Sequence, residues 1–166
     1  MLNLRKRILK SLGVAHTVKW GCNIKITSRY KDGSVEVDEF HNSIHNAALN
    51  AMRDLLDGDV TDLQIKYFAW GNDNSAVDAT DTDLGNELGR KAITSQTAGG
   101  TGVMTTVTII QSTEAVAQLE EFGWFAGADA GAGAGTGIMI SRVLYSRNKT
   151  GLESIQVERT DTFAEG

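Results

Sequence analysis

Thirteen consecutive residues, Val18 to Tyr30, alternate in character. Val18, Trp20, Cys22, Ile24, Ile26, Ser28 and Tyr30 hold the even positions, and Lys19, Gly21, Asn23, Lys25, Thr27 and Arg29 the odd ones. Successive side chains of an extended chain point to opposite faces, so this segment predicts a strand with one apolar and one basic face. Lys31, Asp32, Gly33 and Ser34 supply the Asp-Gly of a tight turn, and residues 35–40 return as the partner strand. No proline occurs in the 166 residues, and each proline would remove a ladder donor, so the composition suits many paired strands. The single cysteine, Cys22, excludes an intramolecular disulfide framework and a zinc cage of several cysteines. Its place on the apolar face reads as a buried, inert thiol.

The rest of the chain continues this theme. Asn42 or Ser43 can cap a helix whose apolar stripe is Ile44, Ala47, Ala48, Ala51, Met52 and Leu55 and whose stop is Gly58, which predicts one packed helix over residues 43–57. Residues 63–70 carry bulky groups at odd and even positions and predict a strand covered on both faces. Residues 71–83 read as a polar loop, and Leu84 with Leu88 as one helical turn. Residues 90–97 and 103–111 read as strands around Gly99 and Gly100. Residues 112–125 fit either a helix, through Ala115, Val116, Leu119 and Phe122, or an extended segment. Residues 127–137 alternate glycine with small residues and form a loop, and residues 138–146 and 152–162 make a last strand pair. Seven or eight strands joined mostly as hairpins, without strand–helix alternation, predict a mainly β fold. It is an antiparallel β-sandwich or barrel-like sheet with one packed helix and an extended basic N-terminal arm.

Charge divides the chain in two. The formal net charge is -5, yet residues 1–31 hold eight basic residues and no acidic one, while the remainder holds eight basic residues against all 21 acids. The expected organisation is a basic arm over residues 1–31, a short helix plus the long strand, and a β-rich body over residues 32–166. In the arm, Leu4, Ile8, Leu9 and Leu12 fall at helical spacing with basic residues between them. Arg5, Lys6, Arg7, Lys10, Lys19, Trp20, Lys25 and Arg29 are the residues expected to bind a partner through it. As a strand, residues 18–30 would span about 43 Å at roughly 3.3 Å each, enough to join a neighbour's sheet edge. Lys10, Ser11 and Gly13 interrupt any secretory h-region after Ile8 and Leu9. The acidic remainder argues against nucleic acid, and no apolar run reaches the roughly 20 residues of a membrane span.

No catalytic set emerges, and neither an enzyme nor a cofactor is expected. Of His16, His41 and His45, the last two are four apart, but no Glu follows His41 to make the zinc-protease pattern, and no Gly-x-Ser-x-Gly occurs. The glycines of residues 131–137 precede a strand and lack a following lysine, so they do not form a nucleotide loop. Asp73, Asp78, Asp81 and Asp83, with Asn72 and Asn74, are acidic enough to consider for Ca²⁺. They lack the EF-hand spacing, and Asp and Asn are common turn formers.

Several pieces, in order, resemble small β-rich virion proteins of tailed bacteriophages. Phe40, Asn42, Ile44, Asn46 and Leu49 match a Phe-x-Asn-x-Ile pattern leading into a short helix. Ile65, Tyr67, Ala69 and Gly71 match a strand motif. Asp83, Leu84, Glu87 and Arg90 follow an acidic loop, and Glu121, Gly123 and Phe125 precede a Gly/Ala-rich loop and a strand bearing Arg142. The resemblance covers roughly residues 35–163 and leaves the basic arm outside it. It implies a non-enzymatic structural subunit of the virion, a head, neck or tail accessory protein assembled in the host cytoplasm. Its partners would be further copies of itself, as a homo-oligomer, and other virion proteins. The competing expectation is a ligand- or glycan-binding sandwich module gripping through Trp70, Trp124 or Tyr145.

Overall fold

The computed structural model describes residues 17–166, which fold into nine strands and one helix. The strands are β1 (Val18–Tyr30), β2 (Val35–Asn42), β3 (Ile65–Gly71), β4 (Glu87–Ala92), β5 (Ser95–Ala98), β6 (Val103–Ile110), β7 (Gln118–Ala126), β8 (Ile138–Asn148) and β9 (Glu153–Glu165). The helix, α1 (Asn46–Asp57), lies between β2 and β3. Two antiparallel sheets result, one ordered β2-β1-β9-β6-β5 and the other β4-β3-β7-β8, with no closed barrel. Cys22, Ile24 and Ile26 of β1, Ile155 and Val157 of β9, and Ile110 of β6 face Phe68 of β3, Phe122 and Trp124 of β7, and Val143 and Tyr145 of β8. Phe68 anchors this layer, 5.0 Å from the Phe122 ring and edge-on to Trp124 at 5.3 Å.

The alternating segment of residues 18–30 is a strand over its whole predicted length, but not a free arm. It pairs with β9 of its own chain from Val18↔Glu165 to Tyr30↔Glu153, and with β2 on its other side. With both ladders occupied it cannot also add to a neighbour's sheet. Ile24 and Ile26 are fully buried in the chain's own core, which is why the strand stays home. A boundary between residues 31 and 32 would cut the β1–β2 turn, so the body begins no later than Val18. The predicted helix of residues 2–12 and the side chains Arg5, Lys6, Arg7 and Lys10 lie outside the described residues.

Three local expectations are corrected. The helix starts at Asn46, with His45 as its N-cap in extended geometry (φ -77, ψ 154) and no side-chain cap. Residues 43–45 are drawn out along β8 instead, where the His45 N–H donates to the Ile140 carbonyl at 3.0 Å. Gly58 ends the helix as expected, at φ 92. Leu84 and Leu88 do not form a helical turn, because Leu84 is pressed onto the four-stranded sheet and Leu88 belongs to β4. Residues 90–97 split between sheets at a corner. The Ile93 N–H bonds to Lys66 O of one sheet, and the next N–H, of Thr94, to Val107 O of the other.

Residues 118–126 are extended rather than helical. A register shift between Leu119 and Glu121 turns Leu119 and Phe122, three apart, to the same core, a spacing that imitates a helix.

Candidate functional site

The outer face of the four-stranded sheet carries a buried ion network. Cross-strand pairing sets Gly123 opposite both Ala69 and Arg142, and Glu121 opposite Gly71, so Glu121 and Arg142 share that face. The Arg142 Nε donates to Glu121 Oε2 at 2.6 Å, Nη1 to Asp81 Oδ2 at 3.2 Å, and Nη2 to Asp73 Oδ2 at 2.9 Å. Glu121, fully buried, also accepts the backbone N–H groups of Gly85 at 3.0 Å, Asn86 at 2.8 Å and Asp73 at 3.3 Å. Residues 72–86 are therefore tied at both ends to one carboxylate and along their length to one guanidinium.

Small residues make the approach possible. A Cβ on Gly71 would collide with Glu121 Oε1 and stand 2.5 Å from Asn86 O, while one on Gly123 would stand 2.8 Å from Leu84 Cδ2. Leu84 fills the space over Gly123 and packs with Ala69, Phe125 and Met139 as the apolar half of the cluster.

His45 closes one side. The Arg142 backbone N–H donates to its Nε2 at 3.1 Å, so the ring proton sits on Nδ1, which donates to the Asp81 carbonyl at 3.1 Å. The imidazole thus satisfies an exposed ladder group of β8, the edge strand, and fastens the loop to it. Burial works against the Arg142 cation, but the hydrogen bond and charge of Glu121, reinforced by Asp81, outweigh it and raise its pKa. The Ser75 hydroxyl, with the Arg142 charge behind it, holds the Asp73 carboxyl below the usual range.

Nearby, Arg90 makes a two-pronged bond to Glu87 at 2.7 and 2.6 Å, donates to Thr136 O at 2.9 Å and stacks 4.0 Å from the Phe125 ring centre. It pins the Gly/Ala-rich loop as Arg142 pins the acidic one. The chemical capacity of the whole arrangement is to clamp two loops onto a sheet.

A second buried pair lies inside the sandwich. Arg159 donates to both carboxylate oxygens of Asp161, at 2.8 and 2.6 Å, and to Ser141 Oγ, with its guanidinium 5.2 Å from the Trp124 ring centre. Trp20 Nε1 donates to Asp161 Oδ1 at 2.7 Å, and the Trp20 ring lies 5.0 Å from Phe163.

Trp20 is accordingly half-buried, packed against the core through its ring. Lys19, Lys25 and Arg29 are exposed on the opposite face of β1, Lys25 beside Glu39 at 3.8 Å. The four carboxylates of the acidic loop do not converge on one point. Asp73 and Asp81 bind Arg142, Asp78 accepts the Thr80 N–H at 2.8 Å, and Asp83 lies at the exposed surface, where partial loss of hydration around its carboxyl raises its pKa. Among the described residues no group of three or more His, Cys, Asp or Glu side chains is placed to hold a metal. Trp124 and Tyr145 are buried and Trp70 is half-buried, so these aromatics do not make an exposed platform. Glu121 and Arg142 entered the sequence reading only through the phage-protein motifs. The signal for a role of their own is weak: an acid among the consecutive apolar groups of Phe122, Trp124 and Phe125, and a base among those of Ile140 and Val143.

The fold and its clamped loops define a two-sheet antiparallel β-sandwich whose smaller sheet is buried on both faces. No protein-family model, curated protein or solved structure matches the chain.

Proposed function

We propose that the chain is a non-enzymatic structural subunit of a tailed-phage virion, assembling in multiple copies on the head, neck or tail. One observation carries this reading: the described body and the sequence before it have opposite charge. Residues 17–166 contain twelve basic residues and all 21 acids, whereas residues 1–16 contain Arg5, Lys6, Arg7 and Lys10 and no acid. Four of the twelve, Arg90, Arg142, Lys149 and Arg159, are buried, against three of the acids, Glu121, Glu153 and Asp161. The solvent-facing surface therefore holds eight basic and eighteen acidic residues. A cationic segment carried by an acidic body attracts further copies, and repetition multiplies weak contacts through effective concentration.

The motif residues support the phage reading in a second way. Leu84, Glu87, Arg90, Glu121, Gly123, Phe125 and Arg142 come from three separate stretches of the sequence, yet they all belong to the two loop clamps described above. Recurrence of that set would preserve a rigid body, which suits a particle component.

The test is removal of residues 1–16, since removing residues 1–31 would delete a central strand. Light scattering of the full chain shows oligomers that shrink as salt screens exposed charge beyond about 10 Å at 0.1 M. The truncated chain stays folded and monomeric, and it fails to enter particles of the phage that encodes it. A full chain absent from those particles overturns the virion assignment.

A further inference from the structure

We propose that the exposed flank of α1 and the acidic turn after it form the receptor for the basic segment of residues 2–12 of a second copy. This rests on the assembly reading above and names the surface that carries it. α1 buries Ala48 and Ala51 against the body and leaves Leu49 49% and Leu56 83% exposed. With Met52, half-buried between them, these side chains line one flank at helical spacing i, i+3, i+7. Three large apolar groups along one side of a helix are a strip with nothing packed on it among the described residues.

The helix end next to that strip is charged against its own dipole. The C-terminus of a helix carries partial negative charge and favours cations. The last turn of α1 has no basic residue, and it contains Asp54 and Asp57, with Asp59 and Asp62 following. Arg53 pairs with Asp54 and Lys66 with Asp62 at 2.6 Å, so among the described residues Asp57 and Asp59 form no ion pair of their own and share only the charge of Arg53. A groove of about 510 Å³ runs from Asp59 and Asp62 to Asp129 of the Gly/Ala-rich loop and adds a third carboxylate with no ion pair among the described residues. The local cost of this arrangement is removed by a cationic partner seated there.

The same chain contains a segment with the complementary pattern. Leu4, Ile8, Leu9 and Leu12 supply an apolar strip, and Arg5, Lys6, Arg7 and Lys10 supply four positive charges with no acid among them. As a helix, eleven residues extend about 16 Å, close to the length of α1. A helix that short is marginal by itself in water, so a receptor strip supplies the stabilisation that its own sequence lacks. Docking between copies, leucine against leucine with arginine and lysine on Asp57, Asp59 and Asp129, propagates head to tail because donor and receptor are different surfaces.

Two variants test this, each a copy with one half of the contact removed. The first, R5E/K6E/R7E/K10E, keeps the receptor and loses the donor. The second, L56K/D57K/D59K, keeps the donor and loses the receptor, and all three positions are exposed. Circular dichroism melts report that both remain folded. In low-salt light scattering the wild-type chain exceeds monomer mass, each variant alone is a monomer, and their equimolar mixture gives a dimer and nothing larger. A receptor variant that assembles like wild type, or a mixture that stays monomeric beside an oligomeric wild type, overturns the inference and leaves the assembly reading standing. A wild-type chain that is monomeric at every salt concentration overturns the assembly reading itself, as when the segment folds onto its own α1.

Discussion

The two sheets of this sandwich are built under different rules. In the five-stranded sheet, β9 alternates strictly from Glu153 to Asp161, buried at every odd position and half-buried at every even one. In the four-stranded sheet, β7 buries every residue from Glu121 to Ala126. The first sheet has a core face and an open face. The second has a core face and a face roofed by the acidic loop, Leu84 and the Gly/Ala-rich loop. Roofing a sheet with loops brings backbone polar groups into a dry layer, and such groups need partners. Glu121 and Arg142 supply them, and for this reason the charged clamps sit on the face that a simpler sandwich would leave to water.

The largest expected effect comes from removing the keystone of that roof. Glu121→Ala strips Arg142 of its closest partner and orphans the N–H groups of Gly85 and Asn86. Breaking a buried pair from one side costs about 3–5 kcal/mol. Urea unfolding should show that loss, and hydrogen exchange should show residues 72–86 released well before the sheet. A loss under 1 kcal/mol would mean that the roof is held by Leu84 alone and that the two sheets differ less than their burial suggests.

The asymmetry also explains what could be read from sequence. The open-faced sheet was legible because water on one side enforces alternation: the bounds of β1 and the turn at Gly33, at φ 90, follow from it. The roofed sheet lost that signal. β7 is apolar on both sides and carries a bulge that imitates helical spacing, and the corner between β4 and β5 falls in a run with no turn residue at Ile93 and Thr94. The same holds for the site. Asp73 and Asp81 were noticed as an acidic cluster, but the guanidinium that explains them lies more than sixty residues away in sequence. Local composition suggested a cation site where a non-local arginine already filled the role. Arg159 and Asp161 had a usable signal, since they continue the inward-facing register of Ile155 and Val157.

The open-faced sheet has its own sensitive point at Cys22, where burial pushes the thiol from 9.0 up to about 11. A raised thiol leaves stability intact below about pH 9. Above it the unfolded chain ionises and the folded chain does not, so stability is lost as the pH climbs through 11. Two pH units correspond to about 2–3 kcal/mol. Cys22→Ala should remove that share of the alkaline decline. In the native protein the thiol should resist labelling at pH 8 and react only on unfolding.

Gly71→Ala probes how closely the roof lies on the sheet. The new methyl meets the Asn86 carbonyl, part of the backbone, as well as Glu121, and neither can swing aside without breaking the Asn86–Glu121 bond. Overpacking of this kind costs about 1–3 kcal/mol. Gly21 in β1 has nothing within 4 Å of its Cβ position, so Gly21→Ala should be tolerated. Thermal melts of the two alanine variants measure the same substitution under a roof and in the open. Equal melting temperatures would remove the distinction between the faces.

The smallest effect is expected where the open face carries its own ion pair. Lys25 and Glu39 lie opposite each other on β1 and β2 at 3.8 Å, with side chains 47% and 68% exposed. Water screens the attraction at that exposure, and ordering two long side chains offsets much of what remains. Lys25→Ala should therefore shift unfolding by no more than about 0.5 kcal/mol, a difference that disappears in 0.5 M salt. Arg142 is also a strand residue opposite an acidic neighbourhood, yet its removal leaves a buried Glu121 uncompensated and costs several-fold more. If Lys25→Ala proved as damaging as Glu121→Ala, the face of the five-stranded sheet would have to be covered in solution, and a second copy seated on that sheet would replace α1 as the place to look for contact between subunits.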